Sequence, residues 1–163
     1  MTAEIRKYHD VDRAGLIASI TGLQAYISSL DDLKRERLPA DFDADRYVQK
    51  LLEKVKAHHG VICLADDGGK LIGCIAGIIP ENTQDDDLEA YPSKDGRILE
   101  LYVQSGHRSQ MIGLRLMQAM EQYFKDAGCV GCHVDCFVPN VDAHKFYLKL
   151  GYIDRMTALL KLF

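Results

Sequence analysis

Two strand-like runs, 98-ILELYV-103 and 130-VGCHVDCFV-138, bracket a stretch over 112–127 in which Leu116, Met117, Met120, Phe124 and Ala127 recur at helical spacing. Strand, helix and strand in that order require a right-handed crossover that lays the two strands parallel. This unit forces a sheet with a helix packed across it, and the rest of the chain must complete that sheet.

The preceding residues supply the other elements. Positions 4–9, EIRKYH, alternate enough for a first strand, and Asp10 is placed to N-cap a helix reaching Leu30, with Leu16, Ile20, Leu23 and Ile27 on one stripe. A second helix is expected over 45–58, burying Val48, Leu51, Leu52 and Val55 and stopped by Gly60. The runs 61-VICLA-65 and 70-KLIGCIAGII-79, joined by DDGG chemistry that favours positive φ, form a hairpin. Residues 80–96 are a polar loop broken by Pro80, Pro92 and Gly96. After the 130–138 strand, a short helix over 143–150 closes at Gly151, and 152–163 reads as a last strand. The expected fold class is α/β with a mixed sheet, in the order β-α-α-β-β-β-α-β-α-β, forming one domain over 1–163.

The 163 residues are 47% hydrophobic and 27% charged, with a net charge of −4. That is ordinary globular composition, with no global positive field to draw nucleic acid or an anionic membrane. No apolar run approaches the ~20 residues that cross a bilayer and the first residues lack a signal-peptide core, so a cytoplasmic location is expected. Five cysteines, an odd number, point to reduced thiols. Cys129-x-x-Cys132-His133 has half the look of a metal or redox site. However, Cys132, Val134 and Cys136 alternate on one strand face and no second ligand pair has metal spacing, so no metal and no nucleophilic cysteine are expected. Acidic residues cluster at Asp41, Asp43 and Asp45 and again at Asp85, Asp86, Asp87 and Glu89, and near a cleft mouth they would attract a cation.

The junction 103-VQSGHRSQMIG-113 places an arginine and a glycine where a strand hands over to a helix. The first amides of a helix are unpaired and sit at its positive dipole end, so this is a ready seat for phosphate, and Arg108 adds a planar charged donor. Farther on, 140-NVDAHKFYLKLGY-152 has the spacing N-x-x-A-x-x-F-Y-x-x-x-G-Y. Together the two clusters resemble the GNAT acyltransferase superfamily, with its pyrophosphate turn [QR]-x-x-G-x-[GA] and its N-x-x-A-x-x-F-Y run. The element order is similar over nearly the whole chain.

The resemblance implies acetyl-CoA as co-substrate, with Arg108, Ser109, Gln110, Met111, Ile112 and Gly113 forming the pyrophosphate turn. Met111 stands where the family usually has its first glycine, which would cost ~1 kcal/mol or more if the position needs positive φ. The strand segment Leu101, Tyr102 and Val103 would meet the pantetheine arm in a split between parallel strands, through main-chain groups at Leu101 and Val103. Asn140 would contact the cofactor arm while also suiting a helix N-cap, and Tyr147 would lie near the thioester sulfur. Transfer to an amine needs a base, an oxyanion donor and a proton for the leaving thiolate. Glu100 is the candidate base, a backbone N–H near Val103 the donor and Tyr147 the acid. Strict alternation puts Glu100 and Tyr102 on one strand face and Leu99, Leu101 and Val103 on the other. The implied enzyme is an N-acetyltransferase acting by direct attack on a primary amine of a small molecule or peptide, such as a polyamine, a lysine side chain or an amino sugar. The alternative is a CoA-binding regulatory or interaction module of the same fold without catalysis. A homodimer through the apolar 158-ALLKLF-163 is compatible with either.

Overall fold

The computed structural model describes residues 3–163. Five strands lie side by side in chain order: β1 (Glu4–Lys7), β2 (Val61–Asp67), β3 (Lys70–Ile78), β4 (Asp95–Val103) and β5 (Gly131–Val134). The first four pair antiparallel, and β4 pairs with β5 in parallel. The connection between the parallel pair is helix α4 (Ile112–Asp126), as the crossover requires. Helices α1 (Arg13–Leu30) and α2 (Ala44–Ala57) cover the opposite face, α3 (Asp86–Glu89) is one turn in the long loop, and α5 (Val141–Lys149) follows β5.

Each sheet face has its own core, because strand residues alternate between the two. Ile72, Ile75 and Ile98 pack with Leu116, Met117, Met120 and Phe124 of α4, and Tyr147 joins them from α5. Leu64, Cys74 and Ala76 pack with Leu16, Ile20, Val48 and Leu51 of α1 and α2. No helix among the described residues is long and apolar enough to cross a membrane.

Four elements differ from expectation. Asp10 does not cap α1: residues Asp10–Asp12 form a short 3₁₀ turn and the helix starts at Arg13. Asp12 does the anchoring instead. It accepts the His9 N–H (2.9 Å) and two bonds from the Arg6 guanidinium (2.8 Å each), which hold its carboxyl down at about 2. At the end of α2 the positive φ belongs to His59 (48°), and Gly60 is needed because a side chain there would strike the Gly77 carbonyl. The strand expected over 130–138 ends at Val134, and 152–163 forms no strand. A strand exists only where a neighbour takes its hydrogen bonds, and β5 has one on its β4 side alone among the described residues.

The closed end of the β4–β5 pair is held by Phe124, whose ring lies over Gly96 where β4 faces Cys132 of β5. A methyl group at Gly96 would overlap the ring, so Gly96→Ala is expected to cost ~1–3 kcal/mol. At ~2–4 °C per kcal/mol for a domain of this size, thermal unfolding followed by circular dichroism should show a clear drop in Tm.

Candidate active site

Parallel pairing between β4 and β5 runs from Asp95↔Gly131 to Ile98↔Val134 and stops there. Beyond it β4 continues through Leu101 and Val103, paired only with β3. Gln104 donates its N–H to the Ile72 carbonyl (2.9 Å), so main-chain alternation turns Tyr102 toward β3 and leaves Leu101 and Val103 facing the open split. Of the three residues expected to meet the pantetheine arm through this strand, Leu101 and Val103 therefore offer main-chain groups there and Tyr102 does not. Tyr102 packs its ring on the α1 and α2 side, with its hydroxyl close against Gly22.

A β-bulge lies at the start of the split. Ala76 is opposite Glu100 and Gly77 opposite Ile98, so Leu99 is an extra residue. It joins Tyr102 in the α1 and α2 core and departs from the strict alternation that grouped it with Leu101 and Val103. The bulge also aims Glu100 at α2, where its carboxylate accepts the Tyr47 hydroxyl. Burial raises the Glu100 pKa, and the Tyr47 bond and the Lys54 charge only partly oppose this. The Tyr47 phenol is itself pushed up, first by burial and then by the Glu100 charge. Tyr47 went unnoticed in the sequence because it sits one position before Val48 on the helix stripe and nothing local marks it.

Across the split stands Tyr147, 9% exposed, with its ring centroid 5.6 Å from Phe146 and 5.8 Å from Tyr152. Its hydroxyl bonds to no protein group among the described residues. Burial first, then the charges of Cys136 and Glu100, raise its pKa, so it keeps its proton.

The turn that follows β4 begins with a short 3₁₀ turn, Ser105–His107, and has positive φ at Ser109 (63°) and Met111 (61°). Met111 is in the left-handed region that favours glycine, and its side chain is 64% exposed, so it does not plug the turn. No side chain caps α4, which leaves its opening amides free to bind an anion. A Cβ at Gly113 would come no nearer than 3.5 Å to the Phe146 ring, so space remains beside these amides.

Arg108 does not extend from the turn. Its Nε donates to the Val103 carbonyl (3.2 Å), and its guanidinium lies 4.5 Å over the Tyr26 ring of α1. The Tyr26 hydroxyl in turn reaches Asn140 Oδ1 (3.4 Å), which also accepts the Ala143 N–H (3.3 Å) as N-cap of α5. Tyr26, Arg108 and Asn140 thus bridge the mouth of the split. Tyr26 adjoins Ile27, which the helical stripe selected, and it is the second residue that sequence periodicity missed.

The remaining candidates fall elsewhere. Asp85, Asp86, Asp87 and Glu89 are exposed in the loop that enters β4 at Asp95, and none of them bonds to a residue of the split. Burial raises the thiol pKa values of Cys129, Cys132 and Cys136, the opposite of what a nucleophilic cysteine needs.

Residues 27–152 match the model of the acetyltransferase (GNAT) family. The chain belongs to that family. Solved structures share the fold over essentially the whole length. A transcriptional regulator from Bacillus halodurans C-125 superposes with a TM-score of 0.72 at 22% identity, covering 99% of each chain. Glucosamine-6-phosphate N-acetyltransferase from Arabidopsis thaliana gives 0.68 at 22% identity, covering 100% of this chain and 99% of its own. AAC(6')-Iy in complex with the bisubstrate analogue CoA-S-monomethyl-acetylneamine gives 0.73 at 16% identity, covering 99% and 98%. A search of curated proteins finds no match.

The co-substrate of the GNAT family is acetyl-CoA, and the split fits it. Unpaired main-chain groups at Leu101 and Val103 suit an amide-bearing arm, and the uncapped start of α4 suits a diphosphate. The left-handed backbone at Met111 has a measurable consequence. Met111→Gly removes strain of ~1 kcal/mol, so thermal unfolding should show an unchanged or slightly higher Tm. Calorimetry should show equal or tighter CoA binding, since the free amides remain. Weaker binding would mean that the methionine side chain itself holds the ligand.

Proposed function

We propose that this chain is an N-acetyltransferase that moves the acetyl group of acetyl-CoA to a primary amine of a small molecule or peptide by direct attack, within one domain over 1–163. The observation that carries this is the end of β4–β5 pairing at Ile98↔Val134, with Glu100 on one side of the open strand and Tyr147 on the other.

Acetyl-CoA supplies an activated acyl group as a thioester. The turn from Arg108 through Ser109, Gln110, Met111 and Ile112 to Gly113 holds the diphosphate through backbone N–H groups, and Asn140 and the main chain of Leu101 and Val103 hold the arm. Binding there requires Arg108 to give up the Val103 carbonyl. Glu100, made a stronger base by burial, removes a proton from the incoming amine directly or through water. A split-facing N–H of β4 near Val103 stabilises the developing oxyanion, and Tyr147, kept protonated, gives its proton to the departing sulfur. Amino sugars lead the acceptor screen, since two structural neighbours are named as acetyltransferases of glucosamine-6-phosphate and of an aminoglycoside. We place the enzyme in the cytoplasm, where its five free cysteines would stay reduced, and as a homodimer.

Thiol release with a panel of amines tests the proposal. Tyr147→Phe should bind CoA nearly as the wild type does and lose ~10²-fold or more in kcat. A wild type that binds CoA tightly and releases no thiol with any amine would favour the non-catalytic module.

Glu100 gives a second test through pH. Its raised pKa means that kcat/KM should climb as pH rises through that value, and Glu100→Gln should lose this limb along with ~10²-fold or more of the rate. Stability moves the other way. A carboxyl whose folded pKa is raised contributes fully below its ordinary value of 4.5 and loses that contribution as pH rises through the folded value. Denaturant titrations should therefore find Glu100→Gln more stable than wild type at neutral pH, with the gap closing in acid.

A further inference from the structure

Glu100 lies half-buried on β4, and among the described residues its carboxylate accepts one protein hydrogen bond, from the Tyr47 hydroxyl to Oε1. Its other oxygen, Oε2, is left free for an amine or a water. A carboxylate that is buried with so little support is drawn toward its protonated form, in which it cannot take a proton from an acceptor. The residue that supplies the bond therefore bears on whether Glu100 can act.

Tyr47 is built to keep that bond. It lies at the start of α2, where Asp43 caps the helix by accepting the Arg46 N–H (3.0 Å) and the Asp43 carbonyl accepts the Tyr47 N–H (3.0 Å). Its ring leans on Phe42, with centroids 5.3 Å apart, and the next residue, Val48, is buried in the core with Leu51. Backbone, ring and neighbour together fix where the hydroxyl points, so little side-chain freedom is lost when it meets Glu100. Burial, and then the Glu100 charge, push the phenol pKa up, so Tyr47 keeps its proton and remains a neutral donor beside the base.

The other groups around Glu100 act differently. Lys54 lies two turns along α2 from Tyr47 on the same face; its charge also favours the carboxylate, but it is exposed and forms no bond to Glu100. On β3, burial first and the Glu100 charge second push the Cys74 thiol up to about 12, so it stays neutral. Tyr147 on α5 keeps its proton for similar reasons, and α1 brings Ser19 beside Cys74, a group that does not titrate. Among the described residues, Tyr47 alone bonds to the carboxylate.

We propose that Tyr47 is a positioning residue for the transfer, whose hydroxyl holds the Glu100 carboxylate in place and in its ionised form and leaves Oε2 to the incoming amine. This role rests on Glu100 being the base. Tyr47→Phe keeps the ring and its packing on Phe42 and removes the donor alone. Without the bond the Glu100 pKa rises, so the acid limb of kcat/KM should move to higher pH, and at a pH on that limb the rate should fall ~10-fold or more, as for loss of a hydrogen bond to a charged group. The KM for acetyl-CoA should stay as in the wild type. Lys54→Met should move the limb less, and not at all in ~1 M salt, whereas the effect of Tyr47→Phe should persist there, because salt screens an exposed charge and not a direct bond. Carbon NMR titration of the Glu100 carboxyl, assigned with Glu100→Gln, reads the same change without turnover and should move to higher pH in Tyr47→Phe. If Glu100→Gln loses the limb but Tyr47→Phe moves neither the limb nor the carboxyl titration, the role of Tyr47 is overturned and Glu100 remains the base. A limb that survives Glu100→Gln overturns the base and the role of Tyr47 with it.

Discussion

The structure depends on the point at which two parallel strands stop pairing. β4 and β5 bond for four residues, from Asp95 to Ile98 on β4 and Gly131 to Val134 on β5, and then separate. An open strand flank inside a sheet leaves backbone groups without partners, which folded proteins avoid unless something else takes the bonds. In this structure Arg108 takes one of them, at the Val103 carbonyl, and its guanidinium rests on Tyr26. The flank at Leu101 and Val103 is a strand-shaped site, suited to an extended ligand with amides of its own.

The two chemical side chains reach this flank from opposite layers. Glu100 faces α2 because the bulge at Leu99 rotates the strand, whereas Tyr147 comes from α5 with the α4 core. The sheet therefore separates Glu100 on the α1 and α2 face from Tyr147 on the α4 face, with the open strand between them. Burial raises both pKa values, which favours proton uptake at Glu100 and proton retention at Tyr147.

Most of the architecture was legible because it is written in periodicity. The spacing of Leu116, Met117, Met120 and Phe124 marks α4, and the crossover rule then fixes β4 and β5 as parallel neighbours. The turn between β4 and α4 was legible because a strand-to-helix junction is a local property. The side to which each strand residue points was less so: a bulge is a register defect between two strands, and neither strand alone announces it, so Leu99 was placed on the wrong face. Tyr26 and Tyr47 were invisible for a related reason. Each lies on a helix whose apolar stripe accounts for its neighbours, and its importance comes from partners, Arg108 and Glu100, far away in the chain. The last strand was misjudged because pattern specifies the propensity of 155–162 but not the edge that would receive it.

Amide hydrogen exchange at β4, with and without acetyl-CoA, tests the central claim most directly. The account predicts that the Leu101 and Val103 amides, free of β3, become strongly protected when acetyl-CoA is added, while Tyr102, already turned to β3, changes little. Protection that leaves Leu101 and Val103 unchanged, or no response to acetyl-CoA at any concentration, would contradict it.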